Sequence, residues 1–209
     1  MKKVTLLLTV VLVFAAALSA STTTYPDRVS FYAANPGVTI EGRDGLANGT
    51  LINTLNGITY NSSDGTALVT NVYLALSPPN TLGENSNGFF LAADTMTFVF
   101  PSPIKVFGIS FNTFDMSATG GYTASDNLGD VIQSFLDPFP GQATGQFVGF
   151  SSTVGFTSVK LAAPGGFAYT LDDLAYGGGS ATTPEPGSLI LLGSGVLGFA
   201  GLLRRKLSL

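Results

Sequence analysis

The sequence predicts an all-β fold, an antiparallel β-sandwich or barrel set between two apolar ends. Three observations predict it: short apolar-polar alternations recur along the middle of the chain, turn-forming Gly, Asn, Asp, Ser and Pro separate them, and few segments carry helical periodicity. An alternation of period two gives a strand one apolar face, and several such strands hide those faces only by packing sheet on sheet or closing on themselves.

The stretch from Asp94 to Asp115 is the clearest case. Met96, Phe98 and Phe100 alternate with Thr95, Thr97 and Val99, Pro101-Ser102-Pro103 interrupts, and Phe107, Ile109 and Phe111 alternate with Gly108, Ser110 and Asn112. We expect two antiparallel strands around a proline-marked turn, each turning its aromatic face to the core. Earlier strands are expected at Val38 to Glu41, Gly57 to Tyr60 and Thr70 to Leu76. Later ones are expected at Gly121 to Ala124, Val131 to Phe135, Gln146 to Phe150, Ser158 to Ala162 and Phe167 to Tyr176. In the last of these, Phe167, Tyr169 and Leu171 share one face whereas Leu174 and Tyr176 have the other parity. A β-bulge at Asp172-Asp173 would reconcile the two halves.

Composition narrows the chemistry. Between Ser21 and Thr182 there are twelve acidic and four basic residues, a net charge near −8, which disfavours nucleic acid as a partner. The chain has no cysteine and no histidine, so thiol chemistry, a Ser-His-Asp triad and nearly every zinc or copper site built from protein ligands are excluded. It has no tryptophan either, which removes the strongest ring for stacking on sugars.

The two ends carry addresses. At the N-terminus Lys2 and Lys3 precede an apolar run from Val4 to Leu18, followed by the small residues Ser19 and Ala20, in the order of a secretory signal peptide over residues 1–20. At the C-terminus Thr183-Pro184-Glu185-Pro186-Gly187 leads into an apolar stretch, Ser188 to Leu203, and then Arg204-Arg205-Lys206. As a helix of about 16 residues that stretch is roughly 24 Å long, enough for a bilayer that thins slightly, and the basic cluster should hold its end in the cytoplasm. Gly193-Ser194-Gly195-Val196-Leu197-Gly198 has the spacing of a dinucleotide-binding turn, but the chain ends too soon after it for the acidic partner, so close helix packing is the expected use of these glycines.

This order of Pro-Glu-Pro, apolar glycine-containing helix and arginine-rich end resembles the PEP-CTERM domain of Gram-negative bacteria. The resemblance implies recognition of Pro184, Glu185 and Pro186 by an exosortase, a membrane-embedded cysteine transpeptidase. It also implies a helix that holds the chain in the membrane before processing, and orientation by Arg204, Arg205 and Lys206. The ending Leu171-Asp172-Asp173-Leu174-Ala175-Tyr176-Gly177 resembles the last strand of sandwich domains often found ahead of such tails, which implies a jelly-roll-like β-sandwich over residues 21–176. Gly177 to Thr183 then reads as a flexible spacer, and residues 184–209 as the sorting signal.

Within the β domain the candidate sites are few. A bulge could aim Asp172 and Asp173 together at a calcium ion, although structural carboxylates bonded to backbone amides are the more ordinary use of such a pair. Asp126-Asn127-Leu128-Gly129-Asp130 offers oxygens but lacks the full calcium-loop pattern and is expected to be a turn. Asp115, Asp137, Tyr122 and Tyr169 could supply carboxylates and a ring for a glycan. The expected function is non-enzymatic: an exported, structural or adhesive protein of the cell surface or extracellular matrix, with exopolysaccharide as a partner and no required cofactor. A carbohydrate-binding module is the first rival, and a secreted glycoside hydrolase with paired carboxylates the remote one.

Overall fold

The computed structural model describes residues 21–178, apart from Leu74, Ala92, 114–120, Asp130, 136–142 and 164–167. The chain divides into two units, residues 1–179 and 180–209, and every described residue belongs to the first. The expected signal peptide and C-terminal helix lie outside the described residues. Among the described residues no helix is long and apolar enough to cross a membrane.

Among the described residues the architecture is antiparallel β throughout, with one short helix. The strands are β1 (Thr22–Tyr25), β2 (Thr39–Glu41), β3 (Leu51–Ile52), β4 (Thr54–Leu55), β5 (Ile58–Ser62), β6 (Ala67–Thr70), β7 (Thr81–Glu84), β8 (Thr95–Thr113), β9 (Gly121–Asp126), β10 (Val131–Phe135), β11 (Ala143–Ala162) and β12 (Tyr169–Gly177). The main hydrogen-bonded order is β10-β9-β11-β8-β12-β7-β6-β3, with β1 on β11, β2 on β12, and β5 joining β4 to β8.

One continuous strand runs where we expected two. β8 passes through Pro101 and Pro103 without reversing, and its halves pair with other strands instead of with each other. Thr97 faces Lys160 and Phe98 faces Val159 in the first half, while Ile109 faces Val148 and Phe107 faces Phe150 in the second. β11 is of similar length and shifts register twice, between Ser151 and Phe156 opposite Lys105 and between Phe156 and Ser158 opposite the prolines. Neither proline sits where a ladder amide is required, because both are exposed at the bend.

The bend folds one half of the ladder over the other. Phe98 and Phe107 lie with ring centroids 6.0 Å apart, and Phe150 stacks on Phe156 at 5.1 Å. Tyr122 of β9 reaches Phe111 at 4.1 Å and Tyr169 at 5.4 Å. These contacts make two β layers around one aromatic core, consistent with the expected all-β sandwich.

Helix α1 (Arg28–Ala34) covers the outer face of the layer formed by β1, β11, β8 and β12. Asp27 caps it, its side chain accepting from the Ser30 amide at 2.7 Å, and Phe31 is fully buried beneath it. Phe31 lies in a second apolar cluster with Val106, Phe147 and Ala175. Gly108 makes room for it: a Cβ there would meet Phe147 Cζ at 2.6 Å and Phe31 Cζ at 2.8 Å. Gly108→Ala should therefore destabilise the protein by about 1–3 kcal/mol, as overpacking does. Denaturant unfolding should show a lower midpoint with an unchanged slope, and the deficit should shrink when Phe31→Ala is combined with it.

Candidate functional site

β12 contains the bulge that side-chain parity anticipated. Asp172 pairs with Ser110 but Ala175 pairs with Gly108, so β12 spends one residue more than β8 between the two rows. Asp173 takes up the excess with φ at 46°, a left-handed conformation that Asp tolerates better than most residues. Leu171 and Leu174 can thus both face the core.

The bulge brings both carboxylates to Ser77, in the loop after β6. The Ser77 amide donates to Asp172 Oδ2 at 2.9 Å, and Ser77 Oγ lies 3.1 Å from Asp172 Oδ1 and 2.8 Å from Asp173 Oδ1. The Asp173 amide donates to Asp172 Oδ1 at 2.9 Å, and Arg28 Nη2 of helix α1 donates to Asp173 Oδ2 at 2.6 Å.

Behind the pair lies Arg43, fully buried, with its guanidinium carbon 5.7 Å from the centre of the Tyr60 ring. Its three side-chain nitrogens lack a hydrogen-bond partner among the described residues. Desolvation pulls its pKa below the usual arginine range, and the carboxylates of Glu41, Asp172, Asp173 and Asp44 oppose that pull. Arg28 and Arg43 thus set two positive charges against the aspartate pair. A cation at the bulge would have to compete with Arg28 for Asp173 Oδ2.

A second carboxylate group was not visible in the sequence. Asp64 in the turn after β5, Glu84 at the end of β7 and Asp94 ahead of β8 bring one oxygen each within 4.8 Å of one another. Glu84 is fully buried, accepting from Ser86 Oγ at 2.8 Å and Ser62 Oγ at 3.1 Å. Asp94 Oδ2 accepts from the Leu91 amide at 2.7 Å. Burial raises the Glu84 pKa, and the neighbouring Asp94 charge raises it further. Three carboxylates and two hydroxyls are the kind of oxygen set that a hard dication such as calcium takes. The members are 20 and 10 positions apart: Asp64 lies in the turn from β5 to β6, Glu84 ends β7 and Asp94 lies in the connection from β7 to β8. Only the pairing of β5 with β8 and of β6 with β7 brings them together.

The other anticipated residues have plainer places. Asp126 opens the turn between β9 and β10, accepting from the Leu128 amide at 2.8 Å, and Asn127 Oδ1 accepts from the amides of Thr157 and Ser158. Tyr122 and Tyr169 are not available as stacking rings. Both are fully buried in the core, with phenol pKa values driven above the usual range by desolvation, and the Tyr169 hydroxyl donates to the Asp94 carbonyl at 3.0 Å. Asp115, Asp130 and Asp137 lie outside the described residues.

The family described as the PEP-CTERM protein-sorting motif matches residues 182–206. The chain carries a PEP-CTERM sorting motif. The match includes Pro184, Glu185 and Pro186 as well as Arg204, Arg205 and Lys206. No curated protein matches this chain.

Among solved structures, the chain is similar to the GH26-CBM35 β-(1,4)-mannanase of Podospora anserina, with 16% identity and a TM-score of 0.37 over 71% of this chain. It spans 29% of the mannanase. A CBM29-2 mutant has 13% identity and a TM-score of 0.35, covering 82% of this chain and 95% of its own. Another CBM29-2 mutant, complexed with mannohexaose, has 11% identity and a TM-score of 0.29, covering 78% of this chain and 96% of its own.

The buried carboxyls give the domain an unusual pH response. Glu41, Glu84 and Asp172 are all raised, with desolvation as the first cause in each. A raised carboxyl binds its proton more tightly when folded, so its stabilising share is complete below the unfolded pKa, about 4, and is lost as pH rises through the folded value. As pH falls toward the unfolded value of about 4, these groups should make the protein more stable. Unfolding curves across that range check this, and Glu84→Gln should flatten the slope.

Proposed function

We propose that this is an exported, non-enzymatic β-domain protein, sorted by an exosortase-type transpeptidase to the cell surface or extracellular matrix, where it has a structural or adhesive role. The observation that carries the reading is the sorting motif at residues 182–206, placed directly after a folded β domain. The last strand, β12, ends at Gly177, and Gly177 to Thr183 spaces it from Pro184.

In this reading residues 1–20 direct export and are removed. The apolar helix 188–203 then stops in the membrane with Arg204, Arg205 and Lys206 on the cytoplasmic side, as the distribution of basic residues around a span requires. Pro184, Glu185 and Pro186 stand on the outer side, within reach of the transpeptidase. The hydrophobic tail serves as an address in the manner of a GPI signal, and the mature protein need not keep it. The domain contributes fold and surface, while the covalent chemistry belongs to the sorting enzyme. Exopolysaccharide is the matrix partner this location offers to a surface rich in acids and hydroxyls.

Mass spectrometry of the protein recovered from its native host should find a species that begins near Ser21 and ends near Pro184. An intact C-terminus through Leu209 would instead mean a permanent anchor. Replacing Pro184, Glu185 and Pro186 together by alanine should leave the full-length tail in the membrane fraction, whereas unchanged release would remove the motif from the mechanism.

A further inference from the structure

The hairpin of β4 and β5 is closed by Asn56 and Gly57. Leu55 pairs with Ile58, so the turn has two residues, and both have positive φ, 50° at Asn56 and 83° at Gly57. Asn-Gly is the favoured filling of such a turn. It is also the dipeptide most prone to lose its side-chain amide, because glycine has no Cβ to screen the backbone nitrogen that attacks it. That nitrogen must be free to approach Asn Cγ. The chain has three such pairs, Asn48-Gly49, Asn56-Gly57 and Asn87-Gly88. The Gly49 amide donates to the Val69 carbonyl and the Gly88 amide to the Glu84 carbonyl, each at 2.8 Å. Gly57 is exposed, and among the described residues its amide has no hydrogen-bond partner.

A carboxyl group meets the nitrogen that would leave. Asn56 Nδ2 donates to Glu41 Oε2 at 3.0 Å, a separation at which a carboxyl can pass a proton. Glu41 belongs to β2 and is 4% exposed, and its second oxygen, Oε1, is buried without a partner. Desolvation raises its pKa, against the pull of the Asn56 hydrogen bond and of the Arg43 charge, which favours the acid form. Tyr176 is the other titratable group that feels the Glu41 charge. Asn87 Nδ2 donates instead to the Ser86 hydroxyl, and among the described residues no carboxyl touches the side chain of Asn48 or Asn87.

We propose that Asn56-Gly57 is a self-modification site, at which Asn56 is converted to aspartate and isoaspartate with Glu41 as the proton donor. The Gly57 nitrogen forms a bond to Asn56 Cγ and releases its proton to water. The Cγ–Nδ2 bond breaks, and Nδ2 departs as ammonia with a proton from Glu41, which solvent restores. Water then opens the cyclic imide at either carbonyl, so the sum is one water consumed and one ammonia released. Either product sets a carboxylate against Glu41 where an amide had donated, which frees the turn from β2. Isoaspartate also lengthens the main chain inside a turn of two residues. This chemistry needs only the folded domain and stands apart from the sorting reading.

The full chain, purified in detergent, is kept warm at neutral pH for several days and mapped by peptide mass spectrometry, with isoaspartate detected by enzymatic methylation. We expect Asn56 to convert several-fold faster than Asn48 and Asn87 in the folded chain, and the three rates to converge in urea. Glu41→Gln, which keeps the shape and the acceptor, should slow Asn56 several-fold and leave the other two as they were. Lowering the pH from alkaline to neutral should widen the lead of Asn56 in the natural chain but not in Glu41→Gln. A rate at Asn56 no faster than at its two counterparts would overturn the site. An unchanged Asn56 rate in a folded Glu41→Gln chain would overturn the part given to Glu41. A Glu41→Gln chain that fails to fold would show three rates equal to those in urea, and the pH trend of the natural chain then decides. A lead that widens toward neutral pH supports the proton donor, and a flat one overturns it.

Discussion

The structure depends on one hydrogen-bonded ladder, β8 against β11, followed from Thr95 opposite Ala162 to Thr113 opposite Ala143. Because the two strands bend together at Pro101–Pro103 and between Ser151 and Ser158, a single pairing supplies strands to both layers. The bend allows Phe98, Phe107, Phe150 and Phe156 to meet in the core. A chain with no disulfides relies on such contacts, and each buried phenylalanine contributes on the order of 1.5–3 kcal/mol. The same bend carries Thr95, Thr113 and the carboxylates around Asp94 to the far end of the domain.

Charge burial is handled differently at the two acidic groups. At the β12 bulge, Arg28 and Arg43 come from elements far away in sequence and face the carboxylates of Asp172 and Asp173, tying helix α1 and the loop after β2 to the last strand. At Asp64, Glu84 and Asp94 the described residues supply hydroxyls and one amide but no ion pair. Desolvation without a counter-charge favours the protonated acid, which is why Glu84 is pushed upward while hydrogen bonds from Ser62 and Ser86 hold it back.

Much of this was legible in the sequence, and the failures share a cause. Period-two alternation located Met96, Phe98 and Phe100 on one face and Phe107, Ile109 and Phe111 on another, and it located the bulge, because a parity change at Asp172-Asp173 is a local property of the chain. Pro101-Ser102-Pro103 reads locally as a turn, yet a bend between layers needs the same residues. What separates the two is the partner strand, and β11 lies more than forty residues on. Thr70 to Leu76 was expected to be a strand, but β6 stops at Thr70 and the chain turns away toward Ser77, where it meets the aspartates. Helix α1 has seven residues, too few for its period to stand out, although its capping residue Asp27 is plain once the helix is known. Tyr122 and Tyr169 were considered as surface rings because sequence does not tell which face of a strand is covered. The Asp64, Glu84 and Asp94 group left no trace in spacing because a turn, a strand end and a later connection build it, and only strand pairing joins them.

The continuity of that ladder can be tested directly by backbone nuclear Overhauser contacts in the isotope-labelled protein. The account predicts cross-strand contacts between Phe98 and Val159 and between Ile109 and Val148 in the same molecule, with none joining the backbone of Thr95–Phe100 to that of Ile104–Thr113. Contacts between those two segments, in the pattern of a hairpin closed by the prolines, would contradict it, and the two-layer account of the core would have to be abandoned as well.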